Sequence, residues 1–473
     1  MTNQSSLLPK GARMSQRSLL LLATTLLLGA CSDVLDTSPP DQLSDENAIQ
    51  TPAGARAALA GAYNELQDGF YYGGTMTHFG DLSADNANET GTFTSYKDAA
   101  THTLFADNAD VTGMWSHIYD AIKRANTLIA KVPGVTGFQP GEQDQILGEA
   151  HFLRALNYHN LVKQFGGVPL RLAPTTDPTN PGDITRATVA EVYAQILSDL
   201  AEAETRMTNT TSPDNHATLG AAKALLARVY LFQGNYALAL SKAQEVEALG
   251  YSLAPNYADL FNNAEASTPE NILKLTFTSS LDQANLFGYY WLSDQLATGA
   301  GRFELGPTQS LIDAYDTLST DVRLLWNIQP DPSGGGYIEG SQSGGSYGSK
   351  FPTTSGAEDF HIVRFAEVLL IKAEALAQGG QLAGAVDAYN LIRVRAGLAP
   401  HVLNVDVTTQ QEVLDAIDRE RRLEFAEEGD RWTDLIRTGR AQAVLGITAN
   451  QELYPIPQAE INVAPGVTQN PGY

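Results

Sequence analysis

The sequence contains one helix–turn–helix pattern twice, and this repeat restricts the possible folds more than any other feature. The first copy, LLARVYLFQGNYALALSKA, begins at Leu225, and the second, LLIKAEALAQGGQLAGAVDAYN, begins at Leu369. In each copy, apolar residues recur with a helical period on both sides of a turn that contains Gln and Gly. One pair of amphipathic helices cannot bury its apolar faces alone, so such pairs stack on one another. The repeat therefore predicts a mainly α-helical protein built from stacked helix pairs.

The second helix of the first copy resembles the G-x-Y-x-x-A-L-x-x-A pattern of tetratricopeptide units. A weaker copy of the pair lies at residues 149–165. Thr51 followed by Pro52 is typical of a helix start, and we expect that helix to extend to about Gln67. The other scaffold helices are predicted within residues 111–131, 142–165, 185–248, 361–396 and 411–440.

Two long segments lack a helical period and are rich in aromatic and polar residues. They cover about residues 68–101 and 279–350, and the second contains a Gly- and Ser-rich stretch at 333–348. Residues 272–278 are predicted to form one of a few short strands. Long irregular segments in a helical chain are usually functional or disordered. We therefore interpret residues 68–101 and 279–350 as loop insertions that carry a ligand site.

The N-terminus has the features of a bacterial lipoprotein signal. Lys10, Arg13 and Arg17 form a basic region without acidic residues, and a mostly apolar run follows from Leu19 to Leu28. Ten helical residues span about 15 Å, half of a bilayer core, so the run is too short for a membrane span. It ends in Leu-Gly-Ala-Cys, which is typical of a lipobox and predicts lipidation of Cys31.

Lipidation at that position defines the N-terminal organisation. Residues 1–31 comprise the signal peptide and the lipidated Cys31, and residues 32–43 are a polar, Pro-containing tether. A start at Met14 instead of Met1 would preserve the signal. Because Cys31 is the chain's one cysteine, neither a disulfide framework nor a multi-cysteine metal site is possible.

The charge of the chain limits its partners. It has 54 acidic and 30 basic side chains in 473 residues, and removing the three basic residues of the signal changes the formal charge from −24 to −27. Nucleic acids and anionic membrane surfaces bind through Lys and Arg, so the charge argues against both. The same reasoning disfavours polyanionic glycans as ligands.

No motif for catalysis, a cofactor or a metal is present, and no residue is predicted for these roles. The segment Asp418–Arg431 (DRERRLEFAEEGDR) has paired carboxylates of the kind that glycoside hydrolases use. However, Asp418 and Arg422 are four residues apart on a predicted helix and attract each other. Arg421, Arg422 and Arg431 are available to pair with Glu427 and Glu428. We therefore interpret the segment as a structural ion-pair cluster.

Five blocks in order resemble the SusD/RagB family of surface lipoproteins. They are GEAHFLRALNYHNLVKQFGGVPL from Gly148, AAKALLARVYLFQGNYALAL from Ala221, VRFAEVLLIKAEALAQGG from Val363, ERRLEFAEEGDRWTDLIRTGRA from Glu420 and LYPIPQAEINVAPGVTQNPGY from Leu453. Glu427 is a departure, because the family typically has Phe or another apolar residue before the Glu-Gly pair.

The resemblance implies a single SusD-like domain over residues 44–473, with four tetratricopeptide-like helix pairs and irregular ligand loops. It also implies a non-catalytic protein, lipid-anchored in the outer membrane and facing the exterior. Such a protein captures oligosaccharides and passes them to a SusC-like TonB-dependent transporter. Capture of peptides or other polymers by the same architecture is the alternative, and a lipid-anchored glycoside hydrolase is a remote one.

Glycan sites combine an aromatic platform with polar side chains, because sugars present apolar C–H faces bordered by hydroxyls. Trp115 and Trp432 lie in helix-like blocks and are assigned to the core, and Trp326 is assigned a structural role. Trp291 is therefore the tryptophan predicted to contact ligand. The predicted ligand-binding residues are Tyr71, Tyr72, Phe79, Asp81, Asn86 and Asn88 in the first insertion and Tyr289, Tyr290, Trp291 and Arg302 in the second.

Overall fold

The described part of the chain is mainly helical. The computed structural model describes residues 49–175, 184–212, 215–262, 268–280, 283–316, 320–332 and 345–473. Residues 49–473 form one compact unit. The predicted lipidation site Cys31, the tether at 32–43 and most of the Gly- and Ser-rich stretch lie outside the described residues.

The α-helices, in chain order, are α1 Pro52–Glu65, α2 Thr75–Leu82, α3 Thr94–Ala100, α4 Ala109–Lys131, α5 Glu142–Phe165, α6 Val189–Arg206, α7 Leu219–Phe232, α8 Tyr236–Glu247, α9 Phe287–Trp291, α10 Gln309–Asp316, α11 Val322–Asn327, α12 Phe365–Gln378, α13 Leu382–Arg395, α14 Gln410–Glu424, α15 Arg431–Arg437, α16 Ala441–Leu445 and α17 Gln458–Val463. The strands are β1 Ala87–Glu89, β2 Asn271–Leu275, β3 Leu305–Pro307, β4 Ile328–Pro330, β5 Ser346–Gly348 and β6 Phe360–Arg364.

Stacked helix pairs form the scaffold, which confirms the tetratricopeptide-like fold predicted from the repeat. Helix α1 packs against α4, α5 against α6, α7 against α8, and α12 against α13. Successive pairs are joined by contacts between α4 and α5, between α6 and α7, and between α8 and α12. Each pair thus covers the apolar face of its neighbour, as stacked repeats require.

The turns of the two repeated pairs have the same backbone conformation. Gly234 follows α7 with φ of +68°, and Gly380 follows α12 with φ of +74°. Glycine adopts this left-handed conformation without the steric cost that a Cβ atom imposes, and it is the preferred residue just after a helix. The Gln-Gly signal that the two copies share therefore ends the first helix in both.

Threonine and glutamate side chains accept backbone hydrogen bonds at the starts of three scaffold helices. Thr51 Oγ1 accepts from Gly54 N at 3.1 Å at the start of α1. Thr188 and Thr409 form capping boxes with the glutamates three residues later, at the starts of α6 and α14. Such caps satisfy backbone N–H groups that have no partner within the helix.

Antiparallel ribbons of two strands connect distant parts of the chain. Strand β1 pairs with β3, β2 with β6, and β4 with β5. The β1–β3 ribbon joins the two predicted loop insertions, with Ala87 opposite Pro307 and Glu89 opposite Leu305. This pairing positions the candidate site described below.

The structure differs from the sequence prediction in four segments. The predicted loop insertion 279–350 contains helices α9, α10 and α11 and strands β3, β4 and β5. Residues 68–101 contain α2, β1 and α3. Helix α2 is buried along its whole length, so its polar and apolar residues are not divided between an exposed and a buried face, and no helical period marks it. The segment 361–396 begins as strand β6, because these residues pair with β2. The segment 411–440 is interrupted between α14 and α15, where Glu427 and Gly429 have φ of +68° and +80°.

Within the described ranges, no helix is long and apolar enough to cross a membrane. Among the same residues, no group of three or more His, Cys, Asp or Glu side chains is arranged to hold a metal ion.

Candidate functional site

The two irregular segments meet at one surface. Besides the β1–β3 ribbon, Leu286 N donates to Gly73 O at 2.8 Å and Thr308 N donates to Asn86 O at 2.9 Å. Thr90 N donates to Glu304 O at 3.0 Å. These backbone bonds hold residues that are more than 200 positions apart in the sequence against each other.

Helix α9 presents two tyrosines at this surface. Phe287 and Trp291, at its two ends, are buried. Tyr289 is 41% exposed and Tyr290 is half-buried. The burial of both ends explains how a helix of five residues is held in place, because such a short helix has little stability of its own.

Phe93 and Arg302 complete what we call the aromatic ridge, which consists of Phe93, Tyr289, Tyr290 and Arg302. The ring centroid of Tyr290 lies 5.7 Å from those of both Tyr289 and Phe93. The guanidinium carbon of Arg302 lies 4.2 Å from the ring centroid of Phe93, at cation–π distance. The side chain of Arg302 is 41% exposed.

Backbone and carboxylate contacts fix Arg302 beside the tyrosines. Its N donates to Tyr289 O at 2.6 Å, and its Nε donates to Glu304 Oε1. Glu304 is buried and also accepts from Thr92 N at 3.0 Å. Phe303, between them, has φ of +54°. This left-handed backbone conformation is energetically unfavourable for a bulky residue, so the surrounding contacts must hold Phe303 in it. Strained backbone of this kind is concentrated at functional sites.

The charges at this surface suit an uncharged ligand that forms hydrogen bonds. Burial raises the pKa of Tyr290, and the positive charge of Arg302 only partly opposes that shift. Burial and then the negative charge of Glu304 raise the pKa of Glu89, at the end of β1. The ridge therefore offers ring faces, a protonated tyrosine hydroxyl and a guanidinium, which together suit an apolar surface bordered by hydroxyl groups.

Comparisons with known proteins identify the family. A family model described as "Starch-binding associating with outer membrane" matches residues 33–231, and the model of the "SusD family" matches residues 331–451. The two matches lie in succession and together cover more than half of the chain. The chain belongs to the SusD family.

Similar proteins from this family cover three quarters or more of the chain. SusD-like protein P38 of Formosa agariphila is 29% identical and covers 96% of this chain and 98% of the relative. Starch-binding protein SusD of Bacteroides thetaiotaomicron is 27% identical and covers 75% of this chain and 77% of the relative. A solved structure described as a laminarin-binding SusD-like protein superposes with a TM-score of 0.78 at 27% identity, covering 90% of this chain and all of the other.

In this SusD-family chain, the structure brings together only part of the predicted ligand site. Tyr289, Tyr290 and Arg302 lie in the ridge, and Asn88 is half-buried on β1. Phe93 and Glu304 were missed by the sequence analysis. Phe93 lies inside the aromatic segment 68–101 that was singled out, but its neighbours in the ridge are distant in sequence, so no local pattern distinguished it.

Six of the predicted ligand residues are buried inside the protein. They are Tyr71, Tyr72, Phe79, Asp81, Asn86 and Trp291. Asn160 Nδ2 on α5 donates at 2.8 Å to the hydroxyls of both Tyr71 and Tyr72. Enclosed rings offer no face to a sugar, and the polar groups of Tyr71, Tyr72, Asp81 and Asn86 are bonded to other groups of the protein. We therefore assign these six residues to packing and correct the preference for Trp291, which is 1% exposed.

The other tryptophans lie where the sequence analysis expected them. Trp115 and Trp432 are buried, and Trp326 donates from Nε1 to Lys350 O at 3.2 Å.

The charged segment of this SusD-family chain is a buried ion-pair cluster, as predicted, but its partners differ from those expected. Glu428 pairs with Lys350 and Arg364, and Glu427 Oε2 accepts from Lys350 N at 3.1 Å. The three arginines that were expected to neutralise these glutamates bind aspartates instead. Arg421 pairs with Asp434, Arg422 with Asp85, and Arg431 with Asp85 and Asp418.

Proposed function

We propose that the chain is a non-catalytic, glycan-binding protein of the cell surface that captures neutral oligosaccharide on the aromatic ridge and delivers it to a TonB-dependent outer-membrane transporter. The observation that carries the proposal is the convergence of three aromatic rings and Arg302 on one exposed surface. Family membership supports it, since the similar proteins include a starch-binding and a laminarin-binding member.

The ridge would bind a sugar by two complementary contacts. The exposed ring of Tyr289 and the half-buried ring of Tyr290 would stack on the C–H face of a pyranose, while Arg302 would donate to its hydroxyls. Because Glu304 and the ring of Phe93 hold the guanidinium, Arg302 would lose little freedom on binding. The net negative charge of the chain fits a neutral glycan better than a polyanion.

Replacement of Tyr289 tests the ridge. Tyr289→Ala removes the most exposed ring and is expected to weaken oligosaccharide binding roughly tenfold, about 1.4 kcal/mol, with an unchanged unfolding temperature. Calorimetric titration with starch- and laminarin-derived oligosaccharides would measure it. Phe105→Ala, at another exposed aromatic that is 62% exposed, is the matched control and should bind like the unmodified chain. Binding of peptides in place of glycans, or release of reducing ends from a polysaccharide, would contradict the proposal.

We also propose that Cys31 carries the lipid that holds the protein at the outer membrane. Fractionation of cells producing Cys31→Ala, in a strain without the partner transporter, should move the protein from the membrane to the soluble fraction. Retention of that variant in the membrane fraction would contradict lipid anchoring through Cys31. Copurification of the unmodified protein with a TonB-dependent transporter would test delivery separately.

A further inference from the structure

A groove on the helix scaffold shares no lining residue with the ridge. It has a volume of about 780 Å³ and lies between α1, the first turns of α5 and the segment that precedes α7. Its volume is in the range of small-molecule sites, about 300–1,000 Å³. Its polar lining includes Gln145, Glu149, Thr208, Asn209 and His216.

His216 is held rigidly at the groove. Its Nδ1 lies 3.1 Å from Glu149 Oε2, and its ring stacks on that of Tyr63 with centroids 4.0 Å apart. Tyr63 OH donates to Glu149 Oε2 at 3.0 Å and accepts from Ala217 N at 2.8 Å. When the ring is neutral, the Nδ1 that faces a carboxylate carries the proton and Nε2 is an acceptor. Among the described residues Nε2 has no hydrogen-bond partner, and the side chain is 20% exposed.

Gln145 supplies a second acceptor without a partner. Its Nε2 donates to Glu149 Oε1 at 2.8 Å and to Ala217 O at 3.3 Å. Its Oε1 is buried and lacks a hydrogen-bond partner within the described structure. An unsatisfied buried acceptor destabilises a folded protein, and a hydrogen-bond donor from a bound ligand would satisfy it.

A smaller groove adjoins the first, and His216 lines both. It has a volume of about 330 Å³ and a lining dominated by hydroxyl and amide side chains, including Thr210, Ser212, Asn215 and Tyr251. Asn215 has φ of +57°, which asparagine tolerates better than most residues. Its Nδ2 donates to Thr276 Oγ1 at 2.9 Å, which fixes the backbone just before His216.

We propose that the two grooves form a second saccharide-binding site, centred on His216, that takes a linear neutral oligosaccharide. Two acceptors without partners call for a ligand rich in donors, and the hydroxyl-lined smaller groove extends the site along a chain of sugars. A cationic peptide would need an unpaired carboxylate, whereas Glu149 is already bonded to Tyr63, Gln145 and His216. Arg56 at the rim is paired with Glu142, so the groove offers no unpaired cation to an anionic glycan.

The class of ligand in this inference rests on the proposed function, and the site itself rests on the groove. Two sites on one chain would raise the avidity for a polymer that reaches both, without any change in either affinity.

Filling the groove tests the inference without disturbing the contacts of His216. Ala57 is exposed on α1 and lines the groove, whereas Ala53 is exposed on the same helix and does not. Calorimetric titration of the chain from Ser32 onward with maltoheptaose and with laminarihexaose should give two bound oligosaccharides per chain for at least one of them. Ala57→Trp should remove one of the two, and Ala53→Trp, the matched control, should keep both.

Amide hydrogen exchange shows which of the two sites each bound oligosaccharide occupies. In the unmodified chain, oligosaccharide should slow amide exchange in residues 208–212 and 215–218. Ala57→Trp should abolish that protection and Tyr289→Ala should preserve it. A single binding event that Tyr289→Ala removes and Ala57→Trp leaves intact would overturn the second site but not the proposed function. Two events that both survive Ala57→Trp would also overturn it, and absence of saccharide binding in the unmodified chain would overturn both proposals.

Discussion

At the scale of single residues, burial separates side chains of the same type into different roles. Tyr71 and Tyr72 are bonded to Asn160 inside the protein, whereas Tyr289 exposes 41% of its surface. Asp81 is an extreme case among the acids, since it is fully buried and accepts from Asn86 Nδ2 at 2.8 Å and from Gly429 N at 3.1 Å. Burial raises the pKa of Asp81 to about 7, because these hydrogen bonds and the charge of Lys350 only partly compensate the lost hydration.

Asp81 is predicted to make stability fall as the pH rises. In the unfolded chain its pKa is near 3.8, so between about pH 4 and pH 7 the folded state binds more protons at this position. The contribution of Asp81 to stability is therefore present at low pH and lost as the pH rises through about 7. Between pH 5 and pH 8, the unfolding temperature of Asp81→Asn should fall less than that of the unmodified chain.

Asp294→Asn is the control, because Asp294 is exposed. This variant should show the same fall in unfolding temperature between pH 5 and pH 8 as the unmodified chain. Equal decreases in unfolding temperature for Asp81→Asn and the unmodified chain would show that Asp81 ionises normally.

At the scale of elements, the ridge depends on how closely α9 approaches a neighbouring loop. A Cβ atom added to Gly288 would lie 1.7 Å from Thr353 O. This distance is far below van der Waals contact, and the obstacle is backbone, so the helix itself would have to move. Since α9 carries Tyr289 and Tyr290, Gly288 indirectly sets the position of both rings.

Gly288→Ala is therefore expected to weaken oligosaccharide binding at least tenfold and to lower the unfolding temperature. Binding and thermal unfolding should be measured on the same preparation. Gly134→Ala, where an added Cβ meets nothing within 4 Å, should change neither quantity. Unaltered binding by Gly288→Ala would mean that the loop at Thr353 yields easily and does not position the helix.

At the scale of the whole molecule, buried ion pairs join elements from distant parts of the chain. Glu424 on α14 pairs with Arg323 on α11, Arg364 on β6 and Arg395 on α13, and it has no exposed surface. Burial disfavours its ionised form, but the charges of Arg395, Arg364 and Arg323 outweigh that effect and hold the pKa of Glu424 well below its ordinary value.

Glu424→Gln should lower the free energy of unfolding by about 3–5 kcal/mol, because it leaves buried arginines without their counter-charge. Urea denaturation would measure the loss. Glu202→Gln, in a solvent-exposed pair with Arg206, should have little effect. In the unmodified chain, the depressed pKa means that this stabilisation is present above about pH 4.5 and is lost as the pH falls below it. Equal stability of Glu424→Gln and the unmodified chain would contradict this account.

Local patterns in the sequence were sufficient for the long scaffold helices and for the family. Helix α5 begins and ends where the sequence analysis placed it, at Glu142–Phe165, and helix α7 lies inside the predicted range 185–248. Their caps, periods and terminal glycines lie within a few residues of each other, and such short-range interactions act before any tertiary contact forms. Helices α2, α3, α9, α10 and α11 were missed, because helices of five to eight residues contain too few turns to show a clear period.

The sequence by itself determined the stacked helix pairs, the structural role of the charged segment and the two segments that we propose to carry the ligand site. Only the tertiary structure decided which side chains of those segments reach the surface. Phe93 meets Tyr290 because β1 pairs with β3, and Tyr71 is enclosed because α5 packs over it. It likewise decided that Glu428 pairs with Lys350 and Arg364. Exposure and ion-pair partners depend on segments that are distant along the chain, so they are properties of the packed molecule and leave no periodic trace in the sequence.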